Sequence, residues 1–261
     1  MANGLIRGLI AKGTKPENIW ASDLDDSKLQ LLAQDCGIQT GSNTDIARNA
    51  SVIILAVKPQ VMRDACKALA ADIGDRKVLL VSIAAGITTS HLEGWFGESA
   101  AIVRCMPNTP ALVGMGASGL FANAKVTEEQ KQLAQEVIST VGFATWVDAD
   151  SDIDIVTAIS GSGPAYFFLF MEAMQATAME MGLSEDLARA LTYHTAAGAA
   201  ALAQYSEDDI ATLRRNVTSP GGTTEQAILQ FEDGDLRGLV AKALEAARIR
   251  SVELAEETDR T

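Results

Sequence analysis

The stretch Ser51-Val-Ile-Ile-Leu-Ala-Val57 determines the fold of the N-terminal half. Its apolar residues run without alternation, which is typical of a β-strand that is buried on both faces of a parallel sheet. Similar runs follow at residues 77–83 and 101–105, and residues 61–73 between the first two have helical spacing. Alternating strand and helix signals predict βαβ units, and therefore a parallel sheet that helices cover.

The same alternation extends toward the N-terminus. Asn18-Ile-Trp-Ala-Ser22 predicts a short strand that ends at Asp23, and residues 27–36 have helical spacing that stops at Gly37. Residues 1–10 already have the spacing of a helix. A doubly wound nucleotide-binding domain normally begins with a buried strand and a glycine-rich turn. The sequence therefore predicts this fold with its first strand absent.

The second half of the chain has helical spacing and almost no strand signal. It is rich in Ala, Leu and Met, and two of its segments, residues 165–181 and 188–203, are apolar on most faces. A helix of this kind is buried, either inside its domain or at a subunit interface. We therefore predict an α/β fold, with a doubly wound dinucleotide-binding domain over residues 1–150 and an all-α domain over 151–261. The predicted helices are 153–159, 165–181, 185–204, 208–217, 224–232 and 236–257.

The composition is that of a globular protein with an acidic surface. The 261 residues allow two ordinary domains, and 48% of them are apolar. The formal charge is −13, which argues against nucleic acid and anionic membrane surfaces as partners. We find no signal-peptide pattern and no uncharged apolar run of bilayer length, so we expect no membrane partner.

No set of residues in the sequence has the pattern of a metal site or of a nucleophile with its base. Cys36, Cys66 and Cys105 have neither metal-ligand spacing nor a disulfide framework, and buried thiols in a reducing cytoplasm are the simpler interpretation. His91 and His194 are the only histidines, and neither has a catalytic-looking setting. We expect no metal, and we expect a bound cofactor to supply the chemistry.

Small residues follow three of the predicted strands. The motifs are Ala56-Val-Lys-Pro59, Ser82-Ile-Ala-Ala-Gly86 and Arg104-Cys-Met-Pro-Asn-Thr-Pro110. Carboxyl ends of parallel strands meet at one edge of the sheet, where ligands bind. Each motif alone fits an ordinary strand-to-helix turn, but their convergence favours a shared site for a flat ligand.

Three polar residues near that edge each have two interpretations. Asp23 ends a strand at a position where an acidic residue can bind a ribose 2′-hydroxyl, but it equally suits a turn or a helix cap. Asn43, in a polar turn before a helix, is ambiguous in the same way. Lys58 either contacts a ligand or is a solvated lysine before a proline, and its place after a fully buried strand favours the first.

Two turns of small residues lie in the second half. Asn216-Val-Thr-Ser-Pro-Gly-Gly-Thr-Thr224 runs into a helical pattern. Glycine lets a backbone approach a ligand closely, and the first N–H groups of a helix are unpaired, so this turn predicts a socket for a small carboxylate or phosphate. Ser160-Gly-Ser-Gly-Pro-Ala-Tyr166 precedes the most apolar helix and suits either close helix packing or a ligand-lining role.

These motifs, in this order and spacing, resemble pyrroline-5-carboxylate reductase over essentially the whole chain, and the turn at 216–224 is the most distinctive of them. The resemblance implies reduction of 1-pyrroline-5-carboxylate to L-proline with NADH or NADPH, the last step of proline synthesis. It also implies a homodimer through the helical domains, which can assemble into a higher homo-oligomer.

The resemblance also implies roles for individual residues. Cofactor binding is expected of Ala2, Asp23, Asn43, Ala56, Val57, Lys58, Pro59, Ala84, Ala85 and Asn216. Substrate binding is expected of Glu207, Ser219, Gly221, Gly222, Thr223 and Thr224. Thr224 is the expected catalytic residue, because a hydroxyl suits the ring nitrogen of a cyclic imine.

The chain departs from the family at its start. Family members begin with a strand and a turn of the form Gly-x-Gly-Asn-Met-Ala, and Met1-Ala2 match only the last two positions of that turn. We expect an internal methionine here, from a late-assigned gene start or a trimmed chain. An intact-mass measurement on protein from its natural source tests this expectation, and a mass matching these residues with full activity would contradict it.

Cofactor preference and overall function each have alternatives. The Asp23 carboxylate repels a 2′-phosphate and favours NADH, although Arg7, Lys12 and Lys28 can offset it. One alternative function is a related hydroxy-acid dehydrogenase, but residues 153–203 contain no lysine for acid–base work. Another is a non-catalytic subunit that binds proline-like ligands or supports assembly, because the phosphate-binding turn is missing.

Overall fold

The computed structural model describes residues 1–260, and residue contacts divide the chain into two compact units. The first unit, Met1–Ser162 together with the residues from Ala246 onward, contains all the strands. The second unit, Gly163–Glu245, is helical. The sequence places the domain boundary at 150–151, whereas contacts place it at 162–163, because the first helical turns after residue 151 pack against strands of the first unit.

The first unit alternates strands with helices. Its strands are β1 (Trp20–Ala21), β2 (Gln39–Thr40), β3 (Val52–Leu55), β4 (Leu79–Ser82), β5 (Ala101–Met106), β6 (Gly116–Ala122) and β7 (Gly142–Trp146). Its helices are α1 (Ala2–Ala11), α2 (Asp26–Cys36), α3 (Asn43–Asn49), α4 (Pro59–Ile73), α5 (Thr89–Phe96), α6 (Glu128–Ser139) and α7 (Asp152–Val156), which a π-helical turn, Thr157–Gly161, continues. The predicted β/α alternation is confirmed.

The strands form two sheets rather than one parallel sheet. Strands β1 and β2 pair in parallel, and the other five lie in the order β3-β4-β5-β6-β7. Strand β6 runs antiparallel to β5, so the expectation of a wholly parallel sheet is wrong at this strand. Only a short 3₁₀ segment, Thr109–Val113, joins β5 to β6, and such a connection is too short for the crossover that a parallel pair requires.

Helix α1 contributes to the core beneath both sheets. Leu5 is 1% exposed and belongs to the cluster that includes Leu79, Val81 and Val103 of the large sheet. The next residue, Ile6, packs in a separate small cluster beside the two-stranded sheet. Adjacent side chains of a helix point in different directions, so Leu5 and Ile6 enter two different cores. Helix α1 therefore packs against residues of both sheets.

The second unit consists of helices with few buried residues. It comprises α8 (Gly163–Glu180), α9 (Glu185–Tyr205), α10 (Ile210–Asn216), α11 (Thr223–Asp233) and the first part of α12 (Leu236–Arg260). Sequence analysis predicted each of these helices to within a few residues. Large side chains on α8 are exposed, among them Phe167, Phe168 and Leu169 at 62–68%. We predicted that the apolar helices are buried either inside their domain or at a subunit interface. The exposure of these side chains excludes the first arrangement for them.

One helical stretch, Asp152–Glu180, is long and apolar enough to cross a bilayer, with a mean hydropathy of 1.3. This stretch contains the carboxylates Asp154 and Glu172, so it is not the uncharged apolar run that the sequence analysis considered. The same properties characterise helices in the cores and interfaces of water-soluble proteins, so this stretch is weak evidence for a membrane span.

Candidate functional site

The carboxyl ends of β3 and β4 form one candidate binding edge. The strands are in parallel register with Leu55 opposite Ser82, so the segments that follow them emerge side by side. Ala56, Val57 and Lys58 are exposed, and Lys58 is the N-cap of α4 with Pro59 at its first position. After β4, Ala84 is buried and Ala85 is half-buried. Small side chains therefore leave the backbone accessible at this edge.

Lys58 is the cation at this edge. Among residues 1–260, the structure gives its ammonium group no hydrogen bond and no ion pair. An exposed and uncommitted ammonium at the end of a buried strand can bind an amide oxygen, a hydroxyl or a phosphate without breaking an existing contact. A solvated lysine at the start of a helix is equally exposed and unpaired, so this geometry fits both interpretations of Lys58.

The carboxyl end of β1 carries a second group of polar residues. The Ser22 hydroxyl donates to Asn43 Oδ1 at 2.8 Å, which ties the end of β1 to the start of α3. The Asp23 carboxylate accepts the backbone N–H of Asp25 at 3.0 Å. Hydrogen bonds from the Ser27 hydroxyl and from the ammonium group and backbone N–H of Lys28 lower the pKa of Asp25 to about 2, so this carboxyl is ionised at neutral pH. The strand end is therefore rich in negative charge and hydrogen-bond acceptors.

The residues at the carboxyl ends of β1, β3 and β4 are of the types that bind a nicotinamide dinucleotide. The β1 end offers a carboxylate and a carboxamide for ribose hydroxyls, and the β3 and β4 ends offer small residues and a free cation. Ala2 is the first residue of α1, where helical N–H groups point toward an anion. The residues present therefore fit such a cofactor by the chemistry of their side chains and backbone.

The turn at Ser219–Gly222 of the second unit has the geometry of an anion socket. The N–H of Gly222 donates to the Ser219 carbonyl at 3.0 Å, and Gly221 has a φ of 72°. A Cβ on Gly222 would lie 2.9 Å from that carbonyl oxygen. Both glycines are thus required, the first by its backbone angle and the second by the close approach.

Helix α11 begins directly after this turn. Gly222 is the N-cap, and Thr223 and Thr224 are the first two helical residues, whose N–H groups have no partner within a helix. The Thr224 side chain is half-buried, and within residues 1–260 its hydroxyl has no hydrogen-bond partner. Two backbone N–H groups and a free hydroxyl therefore lie at the start of α11. The N–H groups can bind a carboxylate, and the hydroxyl can bind a nitrogen of the same ligand.

One contact at the socket was not expected. The Glu225 carboxylate accepts the N–H of Gly221 at 2.7 Å, so this amide is not free for a ligand. A carboxylate at this position also repels an anionic ligand. The socket therefore relies on the amides of Thr223 and Thr224 rather than on every amide of the turn.

The other predicted residues of the second unit lie near the ends of α9 and α10. Glu207 is exposed between these helices, and Ser219 is exposed in the turn. Asn216 ends α10, and its side-chain amide donates to the Asp208 carboxylate at 3.3 Å. Within this unit the structure thus places the predicted substrate residues on two short connections, one before α10 and one after it.

Sequence analysis missed two buried polar groups of the first unit. Asn108 is 8% exposed and joins β5 to the π-helical turn, while Arg104 is 2% exposed and binds the carboxylates of Asp150 and Asp154. The only signal for them was their place inside the motif at 104–110. Cys105, between them, is no nucleophile, because burial raises the pKa of its thiol to about 12. Among residues 1–260, no cluster of His, Cys, Asp and Glu could hold a metal ion.

Comparison with known proteins places the chain among its relatives. Residues 150–254 match the family described as pyrroline-5-carboxylate reductase dimerisation, and residues 1–86 match that described as NADP oxidoreductase, coenzyme F420-dependent. A pyrroline-5-carboxylate reductase of Pseudomonas aeruginosa is 49% identical over 258 residues, covering 98% of this chain and 94% of the relative.

Two solved structures of reductases agree with this. The enzyme of Coxiella burnetii matches with a TM-score of 0.93 and 45% identity, covering 97% of this chain and 94% of that one. The Plasmodium falciparum enzyme, solved with NADP bound, has a TM-score of 0.85 and 29% identity, covering 97% and 93%. Since both the sequence and the fold match over nearly the whole length, the chain belongs to the pyrroline-5-carboxylate reductase family.

Proposed function

We propose that this protein reduces 1-pyrroline-5-carboxylate to L-proline with NADH or NADPH. The observation that carries the proposal is the socket at Ser219–Thr224, where two amides and an unpartnered hydroxyl lie at the start of α11. These groups match a substrate with a carboxylate next to a ring nitrogen. Residues 1–150 form the proposed cofactor domain, and residues 151–261 the proposed substrate and dimerisation domain.

The first domain holds the cofactor, which supplies a hydride. Asp23 and Asn43 bind ribose hydroxyls of the cofactor. Lys58 binds the cofactor beside them through its free ammonium group. NADH is the preferred cofactor, because the Asp23 carboxylate repels a 2′-phosphate and the acidic Asp25 lies close to it. The full proposed set is Ala2, Asp23, Asn43, Ala56, Val57, Lys58, Pro59, Ala84, Ala85 and Asn216.

The second domain holds the substrate. The amides of Thr223 and Thr224 bind its carboxylate, and the Thr224 hydroxyl hydrogen-bonds the ring nitrogen. A protonated imine accepts hydride far more readily than a neutral one, so Thr224 orients the iminium and keeps its proton in place. One hydride and one proton convert the C=N bond into C–H and N–H bonds. The proposed substrate set is Glu207, Ser219, Gly221, Gly222, Thr223 and Thr224.

The helices of the second domain form a homodimer interface. Their apolar side chains, including Phe168 and Leu169, are exposed in the single chain. Both residues lie within the segment 150–254 that matches the dimerisation family. Exposed apolar surface on this scale marks an interaction site. We propose a cytoplasmic homodimer that can assemble further, with three free thiols in keeping with a reducing compartment.

Family membership favours the reductase over the two alternatives. A hydroxy-acid dehydrogenase needs a lysine or histidine as acid–base, and residues 153–203 contain only His194, which is exposed. A non-catalytic proline-binding subunit would need no uncommitted Lys58 at the cofactor edge. Neither alternative has an observation of its own in the structure.

A steady-state assay tests the proposal. Purified protein should oxidise NADH in the presence of 1-pyrroline-5-carboxylate, with a higher kcat/KM for NADH than for NADPH. Thr224→Val removes the hydroxyl and keeps the shape, so it should lower kcat/KM by about 100-fold. Thr224→Ser keeps the hydroxyl and should retain most of the activity. A strong preference for NADPH would overturn the assignment of Asp23, and equal activity of Thr224→Val would overturn that of Thr224.

A further inference from the structure

Asn108 connects three parts of the first unit through one buried side chain. It follows β5 and is 8% exposed. Its Nδ2 donates to the backbone carbonyl of Ser160 at 3.0 Å, and its Oδ1 accepts the N–H of Ala117 at 2.9 Å. The amide therefore links the end of β5 both to β6 and to the π-helical turn at Thr157–Gly161.

The π-helical turn needs such a partner. The N–H of Ser162 donates to the Thr157 carbonyl at 2.8 Å, which is the i to i+5 spacing of a π-helix. The α-helical donor for the Ser160 carbonyl would be residue 164, but this residue is proline and has no N–H. Asn108 donates in its place, and an unpaired buried carbonyl would cost stability.

The turn is also packed tightly against the sheet. A Cβ on Gly161 would lie 2.5 Å from the Met106 Cε, and one on Gly119 would lie 2.7 Å from a Val156 methyl. Glycine at these two positions lets the last residue of α7 lie on the middle of β6, and lets the turn lie on the end of β5. Since β5 is parallel to β4, this is the edge of the sheet where Ala84 and Ala85 emerge.

We propose that Asn108 is a positioning residue for hydride transfer. It holds the Thr157–Gly161 turn in its π-helical register at the edge where the nicotinamide is proposed to bind, and so it rests on the proposed function. Loss of the bond to Ser160 leaves this carbonyl without its side-chain donor and frees the turn to move away from the end of β5, which shifts its backbone. A displacement of about 1 Å at a reacting centre can lower the rate by about 100-fold.

Two asparagines of equal burial provide a matched pair of variants. Asn108→Asp keeps an oxygen for the Ala117 N–H but sets a carboxylate against the Ser160 carbonyl. Asn123→Asp is the control, because Asn123 is 7% exposed at the opposite, N-terminal end of β5, where its Oδ1 accepts the N–H of Ile102 and its Nδ2 donates to the Ala100 carbonyl. Its Nδ2 also donates to the Glu93 carboxylate, so this substitution likewise sets a carboxylate against oxygen acceptors. Both substitutions break buried hydrogen bonds within one sheet, but only the first lies at the proposed site.

The kinetic prediction separates positioning from stability. Asn108→Asp should lower kcat by about 10- to 100-fold with little change in KM, and should raise the primary isotope effect with 4-deuterated NADH. Asn123→Asp should keep kcat within about threefold at a temperature where both variants are folded. If Asn108→Asp does not fold, Asn108→Ala should show the same loss of kcat without the added charge.

Hydrogen exchange gives a readout that needs neither cofactor nor turnover. Asn108→Asp should speed exchange in peptides that cover residues 157–163, and Asn123→Asp in peptides that cover 100–103. Similar kcat values for the two variants, or unchanged exchange at 157–163, would overturn the inference. An unaltered protein that fails to reduce 1-pyrroline-5-carboxylate would overturn the proposed function itself, which is a distinct result.

Discussion

The two compact units of this chain bury apolar residues to very different extents. In the first unit Leu79, Val81 and Val103 on neighbouring strands are at most 1% exposed. In the second unit, within residues 163–245, the buried residues are Gly163, Ala188 and Thr192, none of them large and apolar. The first unit therefore has a core of its own, whereas the second requires a further surface to cover its helices.

Composition alone does not determine where apolar side chains are buried. Both halves of the sequence are rich in apolar residues, but the helices of the second unit leave Phe168, Met181 and Ile210 at 62–82% exposure. A second copy of the chain is the proposed cover. The stability of the second unit is then tied to protein concentration, and that of the first is not.

A charge on an exposed apolar helix face should have the largest effect. Phe168→Asp places a carboxylate in the proposed interface, where burying an unpaired charge should weaken the dimer by at least about 100-fold and abolish activity. Phe143→Asp is the control, since Phe143 is 68% exposed on β7 of the first unit. Light scattering after size exclusion measures both. A dimer that survives Phe168→Asp, or dissociates equally with Phe143→Asp, would break the comparison.

The buried guanidinium of Arg104 should matter more than any exposed ion pair. It is 2% exposed and bonds Asp150 and Asp154, and the Ser251 hydroxyl donates to the same Asp154 oxygen. Arg104→Met leaves two carboxylates without their cation, which should cost about 3–5 kcal/mol of the free energy of unfolding.

The control for Arg104 comes from the second unit. Arg237 pairs with Glu232 on the surface, with its side chain 71% exposed. Arg237→Met should therefore cost far less of the free energy of unfolding than Arg104→Met. Urea unfolding of both variants at one protein concentration compares them, and equal costs would contradict the difference in burial between the units.

Cofactor preference should respond only to the first unit. Asp23→Ser removes the carboxylate that is proposed to bind the ribose and should raise the ratio of kcat/KM for NADPH to that for NADH by about tenfold. KM for 1-pyrroline-5-carboxylate should stay unchanged. An unaltered ratio would remove Asp23 from the cofactor site.

Substrate affinity, by contrast with cofactor preference, should respond to a change in the second unit. Glu225→Gln removes a negative charge beside the socket but keeps an oxygen that accepts the Gly221 N–H. KM for the anionic substrate should fall by about two- to fivefold, with the ratio of the two cofactors unchanged. A higher KM would show that the Glu225 charge supports the turn rather than opposing the substrate.

Much of the fold could be predicted because its signals are local. The apolar run at 51–57 and the helical spacing at 185–204 mark elements at β3 and α9. Strands β6 and β7 were missed, because Gly116–Ala122 consists largely of small residues and Gly142–Trp146 has no continuous apolar run. Their pairing with the rest of the sheet defines them more than their own propensity does.

The candidate site likewise has a part that could be predicted from the sequence and a part that could not. The motif at 216–224 predicted the socket because its glycines and hydroxyls are adjacent in sequence. The role of Asn108 could not be predicted, since it depends on the carbonyl of Ser160, which a proline four residues further on deprives of its donor. Whether the apolar helices pack inside one chain or against another also lies beyond sequence, because both arrangements demand the same composition.

Deuteride transfer measures the proposed reduction itself. The unaltered protein is incubated with NADH that is deuterated at both C4 positions and with 1-pyrroline-5-carboxylate, and the product is analysed by mass spectrometry. L-proline should carry one deuterium on the former imine carbon, and it should form at a rate that Thr224→Val lowers by about 100-fold. Proline without deuterium, or no proline under conditions where the protein is a folded dimer, would contradict the proposed reduction.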